Sequence, residues 1–204
     1  MFETFVNTFP NTSEEMLSKI EMYYLLLVKW NKSLNLVQKD TLIREVFEKR
    51  HLIDCWQLVL HLDKARTVLD VGSGAGLPGV LLAIAGFDVD LVEQDMNKVS
   101  FLKNCKSILD LNCNILPMDV FLLSRPYQQM TSRAFSQMEV LLKIQSIVSR
   151  ETKGVFLKGA NHMNEIENAK RIWNFDVILD NSLSSNDGKI VTISNLAKRE
   201  SVVL

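Results

Sequence analysis

Taken as a run of apolar and polar positions, the chain changes period near residue 67. Before that point apolar residues recur at helical spacing, and after it short β-branched runs alternate with helical stretches. Thr12-Ser13-Glu14-Glu15 offers a helix start, with a capping box from Thr12 to Glu15. The predicted helix runs to about Trp30 and carries Met16, Leu17, Ile20, Tyr23, Tyr24, Leu27 and Trp30 on one broad apolar face. Ahead of it, Phe2, Phe5 and Phe9 show no clear period. Residues 31–36 read as a connector and 41–47 as a second helix. The helical pattern resumes around 49–55, where His51 and Asp54, three apart, share a face and can hydrogen-bond one another. A surface pair is the plain alternative for those two.

From Thr67 onward the runs 67–71, 88–92, 113–118, 127–132 and 154–159 read as strands, with helices predicted at 80–85, 96–109, 137–148 and 161–173. That alternation predicts an α/β fold, a mainly parallel sheet with helices on both faces. Two more strands, 175–179 and 189–193, are joined by the turn-rich segment 181–188, which makes them an antiparallel C-terminal hairpin. The expected organisation is an N-terminal helical extension over residues 1–64 and a Rossmann-like domain over 65–204. A single α/β domain with a short extension suits a chain of 204 residues.

Composition narrows the classes. With 47% hydrophobic and 23% charged residues the chain has the balance of an ordinary soluble protein, and no apolar run approaches the ~18 residues of a membrane span. The start Met1-Phe2-Glu3-Thr4 lacks the basic and apolar regions of a secretion signal, so a cytoplasmic location is expected. Cys55, Cys105 and Cys113 form no C-x-x-C pair, which favours buried free thiols over a metal site or disulfides. A net charge of −1 argues against a broad nucleic-acid-binding surface. Local basic groups remain at Lys29 with Lys32, at Lys49-Arg50-His51, and at Lys98 with Lys103 and Lys106, each of which is by default a solvated helix face.

The chemistry gathers at Thr67-Val68-Leu69-Asp70-Val71-Gly72-Ser73-Gly74-Ala75-Gly76-Leu77-Pro78-Gly79, a strand that breaks into a glycine-rich loop before an apolar helix. Glycines recur where a backbone takes positive φ or approaches a ligand closely, and the helix that follows points unpaired N–H groups at that ligand. Gly74 to Gly79 fits G-x-G-x-x-G, a weak dinucleotide signal. The register Asp70-Val71-Gly72-Ser73-Gly74-Ala75-Gly76 also fits the D-x-G-x-G-x-G loop of S-adenosylmethionine (AdoMet) methyltransferases. A carboxylate one turn before the loop would repel a pyrophosphate but suits a cofactor carrying a sulfonium and an ammonium. Glu93 ends the next strand, where a carboxylate can bind both ribose hydroxyls. The candidate cofactor residues are therefore Asp70, Gly72, Ser73, Gly74, Gly76, Leu77 and Glu93, with Asp119, Val120 and Phe121 after the third strand, where such folds line an adenine pocket. A dehydrogenase and a purely structural strand–turn–helix are the competing readings.

Several stretches together resemble one family, the glucose-inhibited division B proteins, bacterial methyltransferases of guanine N7 in 16S ribosomal RNA. They are Lys29-Trp30-Asn31-Lys32 with Asn35-Leu36, Arg50-His51-Leu52-Ile53-Asp54, the loop 70–79, Phe101-Leu102, Ser132-Arg133-Ala134-Phe135 and Leu157-Lys158-Gly159. They occur in the family's order from about residue 29 to 159. The chain departs from that pattern at Cys55, where a serine is usual, at Asn97, where a basic residue is common, and at Asp119 and Phe121. The resemblance implies a class I AdoMet-dependent fold, AdoMet as cofactor, and 16S rRNA or the small ribosomal subunit as partner, with neither membrane nor metal. A monomer is the default expectation.

Ser132-Arg133-Ala134-Phe135 lacks the acidic or amide residues with which many amino-group methyltransferases manage an N–H. Guanine N7 has a lone pair and no proton to lose, so its methylation asks mainly for positioning, and aligning two bound reactants is worth roughly 7–11 kcal/mol of barrier. Arg133 and Lys158 are the positioning candidates, either able to donate to guanine O6 while leaving N7 free. Arg133 can instead bind the cofactor's carboxylate, and Lys158 can be a surface lysine. Arg50, His51, Lys98 and Lys158 are the candidate RNA contacts, the first two on the strength of the resemblance. Methylation of another base or a small molecule, and a non-catalytic RNA-binding assembly protein, are the alternatives.

Overall fold

The computed structural model describes residues 2–149 and 151–199. The chain opens with a short helix α1 (Glu3–Thr8) and a long helix α2 (Glu14–Leu34). Ser13, rather than Thr12, caps α2, its hydroxyl accepting from Met16 N at 3.2 Å, whereas the Thr12 hydroxyl turns back to donate to the Phe9 carbonyl. α2 outlasts its expected end by a turn and stops where Asn35 takes the left-handed conformation, φ 45°. The helix expected over 41–47 is interrupted. A 3₁₀ turn (Lys39–Leu42) gives way at Ile43 to extended backbone, and helix α3 (Arg44–Phe47) opens into π-helical turns over Glu48–Ile53. A last α-helical turn α4 (Asp54–Trp56) and a 3₁₀ turn (Gln57–Leu60) complete the region.

The α/β part alternates as the sequence predicts. β1 (Val68–Val71), α5 (Gly79–Ile84), β2 (Val89–Val92), α6 (Met96–Leu109) and β3 (Cys113–Leu116) form the first half. β4 (Gln129–Arg133), α7 (Met138–Val148), β5 (Lys153–Lys158), α8 (His162–Ala169), β6 (Trp173–Asn181) and β7 (Lys189–Lys198) form the second. One seven-stranded sheet runs in the order β3-β2-β1-β4-β5-β7-β6. β1 to β5 pair in parallel, while β7 is antiparallel to both β5 and β6, which is the expected hairpin. The hairpin strands are longer and α8 shorter than their sequence pattern suggests, because Trp173 and Asn174 pair with Lys198 and Ala197 instead of continuing the helix.

Two cores flank the sheet. On one face Leu69, Val71, Met130 and Phe156 pack with α7 and α8. On the other, Val68, Val89 and Leu91 share a single core with Phe5, Tyr23, Leu27 and Phe47 of the N-terminal region. The extension thus covers the sheet face that α5 and α6 leave partly open. The order of strands reverses between β1 and β4, and ligands of open α/β sheets bind at the carboxyl ends of strands at such a point.

Candidate active site

Beyond β1 the backbone turns through Gly72, Gly74 and Gly76, all with positive φ (67°, 54° and 82°). A side chain at Gly72 would put its Cβ 2.1 Å from a Phe135 ring carbon, so only glycine lets that ring lie against the loop. Hydrogen bonds fix the loop. Ser73 donates from its backbone to Val92 and from its hydroxyl to the Asp70 carbonyl, at 3.0 Å each. Gly74 N donates to Glu93 Oε2 at 2.9 Å and Gly79 N to Asp70 Oδ2 at 3.1 Å. Tyr23, fully buried on α2, donates its hydroxyl to the Ala75 carbonyl at 2.6 Å. The extension therefore holds the loop from beneath, a role its apolar periodicity did not reveal.

The two carboxylates of the motif do different work. Asp70 lies under the loop rather than in the cavity, only 1% exposed, which corrects its assignment as a cofactor contact. Burial pushes its pKa up to about 7, against the lowering by the nearby Ser73 hydroxyl and by its bond from Gly79 N. Its Oδ1 has no hydrogen-bond partner among the described residues. Glu93 does face the cavity. Asp95 N and Gly74 N occupy one side of its two oxygens, at 2.9 Å each, and fix the carboxylate's plane.

The cavity occupies about 640 Å³ along the ends of β1, β2, β3 and β4. Gly72, Ser73, Gly74, Leu77, Glu93, Asp119, Val120, Phe121 and Arg133 line it, and so do Arg50, His51 and Lys98. Gly76 does not, because its Cα faces Val80 and Leu102, where a Cβ would sit 2.4 Å from Val80. Asp119 caps the turn at 120–122, its Oδ1 accepting from Phe121 N at 3.0 Å. The loop 36–38 forms another wall, and Asn31 pins it, its side chain accepting from Val37 N and donating to Val37 O. That accounts for the asparagine of the Lys-Trp-Asn-Lys stretch.

His51 and Asp54 do not pair. Thr41 gives its one hydroxyl proton to the Gln38 carbonyl at 2.6 Å, so it accepts from His51 Nε2 at 2.8 Å. The ring is neutral, burial and then the charges of Arg133 and Arg50 pushing its pKa down to about 3. Asp54 instead takes Arg133 Nε on Oδ2 at 2.8 Å and the Ser184 hydroxyl on Oδ1 at 2.6 Å. Arg133 also donates to the Arg50 carbonyl at 2.7 Å. The end of β4 is thereby clamped to the π-helical turns of the extension. Gln57 adds a second tie, donating to Ser182 and accepting from Leu183 N.

A second cavity of about 580 Å³ opens on the other side of this clamp. Arg50, Arg133, Ala134 and Phe135 line both cavities and form the partition between them. Ala134 is held at φ 52°, a left-handed conformation uncommon for a residue with a side chain and found most often where surroundings impose it. Lys158 belongs to this second cavity and not to the first. It donates to the Ser136 carbonyl at 2.8 Å and pairs with Glu165 Oε2 at 2.6 Å, so it is no free surface lysine. Sequence reasoning set Asp54 beside His51 and passed over Glu165 and the serines of the hairpin loop, which bond Gln57 and Asp54 from more than a hundred residues away.

A glycine loop at the switch point of a sheet in this strand order, with the carboxylate that follows β2 facing the cavity, is the arrangement of a class I AdoMet-dependent methyltransferase. The cavity fits that cofactor, with the Glu93 carboxylate on one wall and room above Gly74 for a ligand in van der Waals contact, the nearest atom to a Cβ there being the Gly72 carbonyl oxygen at 3.7 Å. Among solved structures the chain is similar to a TehB-like SAM-dependent methyltransferase from Corynebacterium glutamicum, TM-score 0.54 at 15% identity over 70% of this chain and 86% of that one. It is also similar to magnesium protoporphyrin IX methyltransferase from Synechocystis PCC 6803 with bound SAM, TM-score 0.51 at 12% identity over 70% and 76%. At those identities the likeness shows the fold. Residues 16–193 match the profile of GidB, rRNA small subunit methyltransferase G. The ribosomal RNA small subunit methyltransferase G of Rickettsia akari is 37% identical over 91% of this chain and 97% of its own length. The chain belongs to the GidB family of rRNA small subunit methyltransferases.

Proposed function

We propose that this methyltransferase acts on N7 of a guanine in 16S rRNA of the small ribosomal subunit, as a cytoplasmic monomer, with AdoMet in the first cavity and the target base in the second. The observation that carries the proposal is the shared partition, which sets two ligand-sized spaces back to back across Arg133, Ala134 and Phe135. AdoMet supplies a methyl group on a sulfonium, an electrophile that a neutral nitrogen lone pair can attack directly. Glu93 accepts the ribose hydroxyls on the lone pairs that Gly74 and Asp95 leave free. Asp119, Val120 and Phe121 close the adenine end, and the loop N–H groups with Arg133 face the methionine end.

Guanine N7 needs no general base, and the partition residues include no carboxylate or amide to serve as one. The chain's task is alignment. Phe135, 40% exposed on the partition, offers a face on which a purine stacks, as enzymes that extract a base from its stack use aromatic side chains. Arg50, Lys98 and Lys189 lie at the cavity walls where the RNA backbone would pass. Lys49, exposed beside Arg50, extends that basic edge.

N7-methylguanosine is chemically labile, so the test is to express the chain in a bacterial host lacking its own enzyme of this family and treat the 16S rRNA with borohydride and aniline. Cleavage at one guanosine only when the chain is expressed is the expected result. Intact 16S rRNA in both cultures would overturn the proposal.

A further inference from the structure

We propose that Ser184, on the loop of the C-terminal hairpin, is a positioning residue for methyl transfer that orients Arg133 through Asp54, an inference that rests on the reading that Arg133 aligns the reactants. Arg133 reaches both cavities. Its bonds from Nε to Asp54 Oδ2 and from Nη2 to the Arg50 carbonyl spend two of the five guanidinium donors and leave three for ligands. Where those three point depends on the plane of the Asp54 carboxylate. That plane has little preference of its own, because the last torsion of an aspartate is broad. The Ser184 hydroxyl, 2.6 Å from Oδ1, holds it from the side away from Arg133, while Gln57 Nε2 stands off at 3.5 Å from the same oxygen.

The direction of the protons in this contact is fixed. The Asp54 carboxylate, paired with a guanidinium, only accepts, so Ser184 donates to it. The Ser184 oxygen then accepts the hydroxyl proton of Ser182 at 2.8 Å, and Ser182 accepts from Gln57 Nε2 at 3.0 Å. Every donor in the chain runs one way, from Gln57 through two serines to the carboxylate, and hydrogen bonds in such a row polarise one another. Gln57 is fully buried and Ser184 is 7% exposed, although Leu183 between the two serines is 55% exposed, so the loop is turned inward at its hydroxyls. Ser182, Ser184, Ser185 and Gly188 also line the second cavity. The loop against which a target nucleotide would lie is thus the loop that sets Arg133, and Ser184 joins the two.

The experiment measures single-turnover transfer of labelled methyl to small subunits from cells lacking the enzyme, with AdoMet Kd by calorimetry. Ser184→Ala should slow transfer about tenfold or more, the worth of one hydrogen bond to a charged group, and change AdoMet Kd by no more than about twofold. Ser184→Thr keeps the hydroxyl and should stay within about threefold of wild type. In an Asp54→Ala background, where the serine has no carboxylate to hold, Ser184→Ala should cost no more than about twofold further. The contrast between alanine and threonine stands by itself should the Asp54 variant prove too unstable to assay. An alanine variant as fast as wild type, a threonine variant as slow as alanine, or an equal alanine loss in both backgrounds would overturn the proposal. Wild-type rates in Arg133→Ala would instead refute the reading of Arg133, a result obtained before any serine is changed.

Discussion

Asp70→Asn isolates the cost of holding a carboxyl beneath the glycine loop. The residue is fully buried, and burial raises its pKa from 3.8 to about 7. A raised acid pKa means that folding favours the protonated form. Below the unfolded value both states carry the proton and no penalty arises. As pH rises between the two values the unfolded chain ionises first, and native stability falls until the folded group ionises too. At 1.36 kcal/mol per unit, a shift of this size amounts to about 4 kcal/mol in full, of which about 2–3 kcal/mol accrues between pH 5 and pH 8. Asparagine cannot ionise, so its protein lacks this loss, and every other titrating group cancels in the difference between the two proteins. Urea unfolding of both at pH 5, 6, 7 and 8 measures it. Wild type should lose ground to the variant with rising pH and level off above about pH 7. Parallel stability curves over that range would refute the reasoning.

Three further substitutions test the loop and its clamp. Gly72→Ala forces a side chain into a left-handed backbone and against Phe135, so it should cost at least about 1–2 kcal/mol and weaken AdoMet binding more than tenfold by calorimetry. Asp54→Ala strands the Arg133 guanidinium, whose side chain is only 20% exposed, and should lower unfolding free energy by about 2–4 kcal/mol, with methyl transfer falling further than AdoMet affinity. Tyr23→Phe deletes the one side-chain donor that the described residues of the extension give the loop, at about 1–3 kcal/mol, and calorimetry should show weaker AdoMet binding although the residue is absent from the cavity wall.

Strands β1 to β5, the helices between them and the antiparallel hairpin were legible because each has a local signature, alternation or a glycine break, that survives in one dimension. That the loop positions 72–74 and Glu93 share one cavity was legible for the same reason. Asp70 was placed in the right motif but on the wrong side of the backbone, since only the packed loop shows that Gly79 claims its carboxylate. The π-helical turns at Glu48–Ile53 left no periodic trace, and they decide that Asp54 meets Arg133 while His51 meets Thr41. Lys158 was recognised without its partner. Glu165 lies only seven residues away, yet a turn and the start of α8 intervene, and no spacing rule brings a strand-end lysine onto a helical carboxylate. The second cavity depends on the hairpin loop folding back to Gln57 and Asp54, pairings more than a hundred residues apart.

Transfer of labelled methyl from AdoMet to small subunits from cells lacking the enzyme, followed by nucleoside analysis, goes straight to the chemistry. Label in N7-methylguanosine at a single 16S position, lost when Arg133 is replaced by alanine, is what the two cavities and their partition predict. Label in any other nucleoside, or AdoMet binding with no transfer to RNA, would contradict it.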